Sequence, residues 1–387
     1  MLILLACIGA AALLAPVAGA KQSVSWAQPQ IRTVVAYGLM AKSVASFKPN
    51  AVLTQAQLEE LLPALPTETI DDPSSTDPIT TDPTTTTTAT TITDPSHNPA
   101  TTSTTTTNPT STTPASPQAN APVTVSAFDA ALVDRLGLTA AAARFQSAAR
   151  QAGLAPPKRF GTEIVARLLG LRTNHPASQD QLELLPSDSI TRAETAFSVA
   201  RVLSFSGGET QWVEDESFSF TLPQLNRWQK RILNYAISLI GYPYIWGGTS
   251  PTTQTVFGRV VKGGFDCSGL VWRVYKLRRY SGEGRLSSTL RGRTTFVMSG
   301  EVPRSKRIPY AALQPGDVLF FGSNGPRSLP AQVFHTAIYL GYGWYIQSSG
   351  NGVDIVPLES WSLTHFAWAR RPLAEAGLVN VYAVQPS

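Results

Sequence analysis

The chain has 387 residues, 43% of them hydrophobic, with two cysteines, 29 prolines and a formal net charge of +5. The apolar share excludes a wholly disordered chain, and two cysteines exclude a small disulfide-stapled scaffold. The length suits two or three domains of about 100–200 residues each. In chain order, residues 1–20, MLILLACIGAAALLAPVAGA, carry no charge and end in Ala18-Gly19-Ala20, the small-residue pattern that signal peptidases cut. This predicts an exported chain, with retention as a membrane anchor as the alternative, because the apolar run is about long enough to span a bilayer. Cleavage would remove Cys7 and leave Cys267 as a lone thiol, which in an oxidising compartment marks a reactive group.

In residues 21–65, Ile31, Val34, Val35 and Leu39 are spaced for one helix face, and Thr54 is placed to cap a second helix. From Pro66 to Ala121 the chain reads TDPTTTTTATTITDP and ATTSTTTTNPTSTTP, with Glu68, Asp71, Asp72, Asp77, Asp82 and Asp94 as its charges. Such a composition cannot bury enough apolar surface to offset its ordering entropy and predicts a disordered linker. Residues 122–222 read as mainly helical: AARFQSAARQAGL is one helix, and a capping box of Thr191 with Glu194 opens another. The stretches SFKPNAVLTQAQ (Ser46 to Gln57) and ITRAE (Ile190 to Glu194) loosely resemble S-layer homology modules. The resemblance implies binding of anionic cell-wall polymer with Arg192 at a groove. Gln55 stands where the first copy would carry its arginine, and a plain helical spacer is the alternative.

Residues 223–387 predict an α+β domain: an amphipathic helix in LPQLNRWQKRILNYAISLIG closed by Gly241, a second helix after Cys267, then short alternating strands. In DCSGLVWRVYKL, Leu270, Val271, Val274 and Leu277 fall at helical spacing, which puts Cys267 in the first turn. Unpaired N–H groups and the positive helix end there favour thiolate. Gly269 permits close approach of another backbone. A cysteine nucleophile needs a base. His97 lies in the linker and His175 in the preceding helical region, leaving His335 and His365. His365 reads as a partly buried neighbour of Trp361, Phe366 and Trp368. His335 opens a strand, HTAIYL, that turns at GYG and returns as WYIQ. A turn centred on Gly341 sets Tyr339 opposite Gly343 and His335 opposite Gln347. Opposed side chains on one sheet face lie about 4.5–5.5 Å apart at Cβ, so Gln347 could hold one imidazole nitrogen and leave the other for the thiol.

Four stretches, GYPYIWGG at Gly241, FDCSGLV at Phe265, LQPGDVLFF at Leu313 and HTAIYLG at His335, closely resemble in that order the NlpC-type peptidoglycan hydrolases, cysteine peptidases with a papain-like core. The resemblance implies Cys267 as nucleophile, His335 as base and Gln347 as the polar third member, where histidine is commoner. It places Tyr244 beside the cysteine and Asp266 and Ser268 along the substrate cleft. It further implies an exported, wall-associated bacterial endopeptidase that cuts the bond between D-glutamyl and a diamino acid of peptidoglycan stems through a thioester. The rivals are a wall-binding or adhesive protein that has lost activity, and an amidase or acyltransferase on the same fold. No clustered His/Cys/Asp ligand set appears, so neither metal nor organic cofactor is expected. Pro315 to Asp317 reads as a structural turn into a core strand. From Pro223 onward eighteen lysines and arginines face seven acidic residues, a net of +11 that suits peptidoglycan and anionic wall polymer as partners. Nucleic acid is excluded by export and the lack of a binding motif, and membrane is a partner only if the leader is retained.

Overall fold

The computed structural model describes residues 25–66 and 118–378, so the expected leader and nearly all of the expected linker lie outside the described residues. The helical part comprises α1 (Gln28–Ala36), α2 (Gln55–Leu61), α3 (Val125–Arg135), α4 (Thr139–Gln151), α5 (Phe160–Leu168), α6 (Arg192–Val202) and α7 (Glu209–Ser219). Thr54 caps α2 in a full box with Gln57. At α6 only half of the predicted box forms. Thr191 accepts from the Glu194 N–H, but the Glu194 carboxylate turns inward to His175 Nε2 (2.8 Å) and Arg172 (3.6 Å).

The described segments on either side of residues 67–117 fold together. Leu53 N–H donates to the Ile190 carbonyl, Ile190 N–H to Val123, and Val123 N–H to Leu53, at 3.0, 2.8 and 3.0 Å. Residues 119 and 121, at the linker's end, accept from Ala56 and Gln55. Arg192 lines a recess of about 630 Å³ beside Met40, Gln57 and Glu60. Its guanidinium is engaged by the carbonyls of Phe47 (2.9 Å) and Met40, which ties α6 to the first segment.

The C-terminal part opens with α8 (Arg227–Ser238), boxed by Asn226 and Gln229. The helix ends at Ser238, earlier than the sequence pattern suggests, and Gly241 serves a different purpose. It has φ +88°, donates to the Val353 carbonyl, and leaves room that a Cβ would take from the Glu163 carboxylate, 2.6 Å away. Two short antiparallel pairs follow, β1 (Thr249–Ser250) with β4 (Gly264–Phe265) and β2 (Gln254–Val256) with β3 (Arg259–Val261). Next come α9 (Cys267–Trp272), which continues into a π-helical turn (Arg273–Leu277), and β5 (Val318–Gly322), β6 (Val333–Gly341), β7 (Trp344–Ser349), β8 (Gly352–Pro357) and β9 (Phe366–Arg370). These last five form one antiparallel sheet in the order β8-β7-β6-β5-β9, and α9 packs on β6 and β7. A helix that begins at Cys267 and packs on an antiparallel sheet is the expected α+β architecture. Asp317, buried ahead of β5, pairs with Arg371 at 2.7 Å, consistent with a structural turn.

Helical part and sheet share one apolar core. Phe220 and Phe145 flank Trp344 with ring centroids 4.9 and 5.9 Å away. Arg159 donates to the carbonyls of Ser238 (2.8 Å) and Ile240 (3.1 Å), and Arg167 to that of Gly241 (2.8 Å). α5 also packs against β8.

Candidate active site

Cys267 sits at the first position of α9 because Asp266 caps the helix, its carboxylate accepting from the Gly269 N–H at 2.6 Å. Gly269 has no alternative. An added Cβ would lie 1.9 Å from the Gly248 carbonyl oxygen, so only glycine lets the helix seat against the Gly247-Gly248 loop. Leu270, Val271 and Val274 are buried as their spacing predicts, while Leu277, at the end of the π turn, is exposed.

Asp266 and Ser268, expected along the cleft, are 7% and 5% exposed and make their contacts inside the protein. Asp266 also accepts from Gly247 N–H (2.8 Å) and pairs with Arg293 (3.0 Å), which bonds the Ser268 hydroxyl at 2.6 Å. These two side chains and Arg293 brace the loop and helix that carry the thiol. In sequence Arg293 is one of nine basic residues between Tyr275 and Pro315, none of which the pattern singles out.

The sulfur lies beneath β6, the strand that bears His335. Main-chain N–H groups of Ser268 and of Thr336, the residue after His335, direct hydrogen bonds at it. The residue is 8% exposed. Burial, with the Asp266 charge adding to it, pushes the thiol up to about 12, against the opposing pull of those hydrogen bonds and Arg293. The expectation of a resting thiolate is therefore not met: loss of hydration outweighs the positive end of a six-residue helix. Burial likewise holds His335 down to about 4, with the Gln347 hydrogen bond opposing. The resting pair is a neutral thiol and a neutral imidazole.

His335 Nε2 lies 2.7 Å from Gln347 Oε1. An amide oxygen only accepts, so Nε2 carries the proton and Nδ1 keeps a free lone pair. The pairing is the one expected, but the register is not. Tyr342 and Gly343 both have positive φ (+45° and +85°) and form a two-residue turn that pairs Gly341 with Trp344. With a bulge beside it, Tyr339 faces Tyr345 rather than Gly343. This displaces the strands by two residues, which preserves the side-chain face, so Gln347 reaches His335 diagonally.

Tyr244 stands beside the thiol. Burial, then the charges of Cys267 and Asp266, raise its pKa, so its phenol stays a hydrogen-bond donor. Its backbone is clamped by Asn174 from the helical part, which accepts from Tyr244 N–H at 2.7 Å and donates to its carbonyl at 2.8 Å. No sequence pattern pointed to Asn174. Tyr244, Phe334, His335, Gln347 and Trp361 line a cleft of about 360 Å³. His365 stacks on Trp361 at the rim, 4.4 Å between centroids.

Residues 241–371 match the model of the NlpC/P60 family, and this stretch is an NlpC/P60 domain, as the four sequence motifs indicated. Curated relatives include the murein DD-endopeptidase MepH of Escherichia coli, 33% identical over 37% of this chain and 45% of that protein. The peptidoglycan endopeptidase RipA of Mycobacterium tuberculosis is 28% identical over 35% of this chain and 25% of that protein. The matches thus span less than half the length of these relatives. Among solved structures, an NlpC/P60 family protein from Bacillus cereus shares 25% identity with a TM-score of 0.29, over 40% of this chain and 43% of that one.

Proposed function

We propose that the chain is an exported bacterial cell-wall hydrolase, a cysteine endopeptidase acting on the peptide stems of peptidoglycan. The observation that carries this reading is the thiol of Cys267 at the tip of α9, hydrogen-bonded by the main chain beside a His335 that Gln347 holds in one tautomer. The NlpC/P60 match and the names of the relatives, peptidoglycan and murein endopeptidases, support the substrate class.

Cys267 Sγ attacks a stem carbonyl carbon as its proton passes to His335 Nδ1. The C=O π pair moves to oxygen, and the oxyanion faces main-chain N–H groups at the start of α9 and the Tyr244 hydroxyl. Collapse breaks the C–N bond, and the amine leaves with the proton from His335. Water, deprotonated by His335, then hydrolyses the thioester and restores the thiol. Because both groups rest neutral, sulfur becomes anionic only as its proton moves, a step that substrate binding promotes by fixing the carbonyl at the sulfur. The bond we assign is that between D-glutamyl and the diamino acid.

Zymography on purified wall, with mass spectrometry of the soluble fragments, tests the reading. A lytic band lost in Cys267→Ala and fragments severed after D-glutamate are expected. Intact stems with a free N-terminal alanine would mean an amidase, and no lysis by the parent protein would mean an inactive binding protein.

A further inference from the structure

The arrangement on the far side of Gln347 carries the site beyond the Cys-His-Gln group. A glutamine amide has no intrinsic reason to turn its oxygen, rather than its NH2, toward an imidazole. If it turned the other way, His335 would be pushed into the tautomer with Nδ1 protonated and would lose its lone pair toward the sulfur. Something must break the tie. Directly opposite Gln347 across β7 and β8 is Asp354, 1% exposed; its Oδ2 accepts from Ser349 Oγ at 3.3 Å, its Oδ1 is buried without a hydrogen-bond partner, and the Gln347 side chain favours its charged form. A carboxylate accepts only, so it draws the amide NH2 to itself and leaves Oε1 for His335.

A buried carboxylate needs a countercharge. Arg167 of α5, in the helical part, supplies positive charge nearby without forming an ion pair with Asp354: its guanidinium pairs with Glu163 (3.4 Å), donates to the Gly241 carbonyl (2.8 Å) and lies 2.7 Å from where a side chain on Gly352 would begin. Arg167 opposes the upward push that burial gives Asp354. Gly352, at φ +80°, leaves the space through which the guanidinium approaches.

We propose that Asp354 is a positioning residue of the active site, locking the Gln347 amide so that His335 keeps Nδ1 free for Cys267, and that the helical part supports it through Arg167. The proposal takes the thiol and imidazole roles from the reading above. It gives the helical part a share in catalysis, because the outermost link of the chain Arg167, Asp354, Gln347, His335 lies outside the NlpC/P60 domain.

The test uses the full chain in a Cys7→Ser background, so that one thiol is present, and two readouts. Alkylation of Cys267 by iodoacetamide reports the thiol-imidazole pair without any substrate. Hydrolysis of defined muropeptides reports turnover. Asp354→Ala is expected to slow alkylation at pH 7 and to lower kcat about tenfold or more, with KM within about twofold. In a Gln347→Ala background the same substitution is expected to add almost nothing, since both act through one amide. Asp354→Asn, which keeps an acceptor oxygen, should recover part of the loss, and it carries the test if Asp354→Ala fails to fold. Arg167→Gln should move both readouts in the same direction. Unchanged alkylation in Asp354→Ala and Asp354→Asn, or losses that add fully to those of Gln347→Ala, would overturn the proposal. If alkylation responds as expected while the parent protein cleaves no muropeptide, the positioning role stands and the assigned function falls.

Discussion

At the scale of single residues, the chemistry rests on a pair of groups that burial keeps uncharged. His335 must be neutral to accept the thiol proton, and its pKa is depressed to about 4. The value of kcat/KM should therefore hold through mildly acidic pH and fall only as the pH drops through about 4; a profile already falling between pH 7 and 6 would contradict this. The thiol, raised to about 12, should show little thiolate absorbance at neutral pH. Gln347→Ala should reduce turnover roughly ten- to hundredfold, the cost of a general base left free to turn. Nearly full activity in that variant would mean that another group orients the imidazole.

At the scale of elements, the position of Cys267 is a matter of backbone fit. α9 seats its first turn on the Gly247-Gly248 loop, fastened by Asp266 to Gly247 and by Arg293 to both. Gly269→Ala would force helix and loop apart, since its Cβ would meet the Gly248 carbonyl oxygen. Overpacking of this kind costs roughly 1–3 kcal/mol, so a lower melting temperature with a large loss of activity is expected by calorimetry and muropeptide assay. The β6-β7 turn shows the same dependence on local geometry. Two positive-φ residues shift the register by two, and because strands alternate faces with period two, the His335–Gln347 contact survives.

At the scale of the whole molecule, the helical part and the NlpC/P60 domain melt as one unit if the shared core around Phe145, Phe220 and Trp344 governs stability. A single calorimetric transition for the full chain is expected, and two separated ones would contradict it. The helical part also buries acids. Burial raises Asp129 to about 7, opposed first by Arg172, and Glu183 to about 8, opposed first by His175. Folded values above the unfolded ones mean that these groups favour the folded state fully at acidic pH and lose that contribution as the pH rises through about 7 and 8. The melting temperature should fall between about pH 5 and 8, on the order of 5 °C, and level off above that. A rise over that range would show that these carboxyls are ionised at little cost.

Cys267 and His335, proposed to carry the chemistry, could be picked out of the sequence because cysteines and histidines are few. Among the described residues Cys267 is the one thiol, at a helix start, and the pairing of His335 with Gln347 across a hairpin was legible from strand alternation; the order of four short motifs pointed to the family model that residues 241–371 match. Periodicity likewise marked the core positions of α1, α8 and α9, since burial repeats with the helix turn or the strand pleat. Other properties are set by neighbours distant in the chain and emerge only once the chain is folded. The ionisation of Cys267 follows from how completely β6 covers it. Asp266 and Ser268 turn inward because Arg293, 27 and 25 residues away, satisfies them. Gly241 and Gly352 are glycines because Glu163 and Arg167 occupy the space beside them. Burial and charge pairing depend on which surfaces meet, and local sequence pattern carries no record of that.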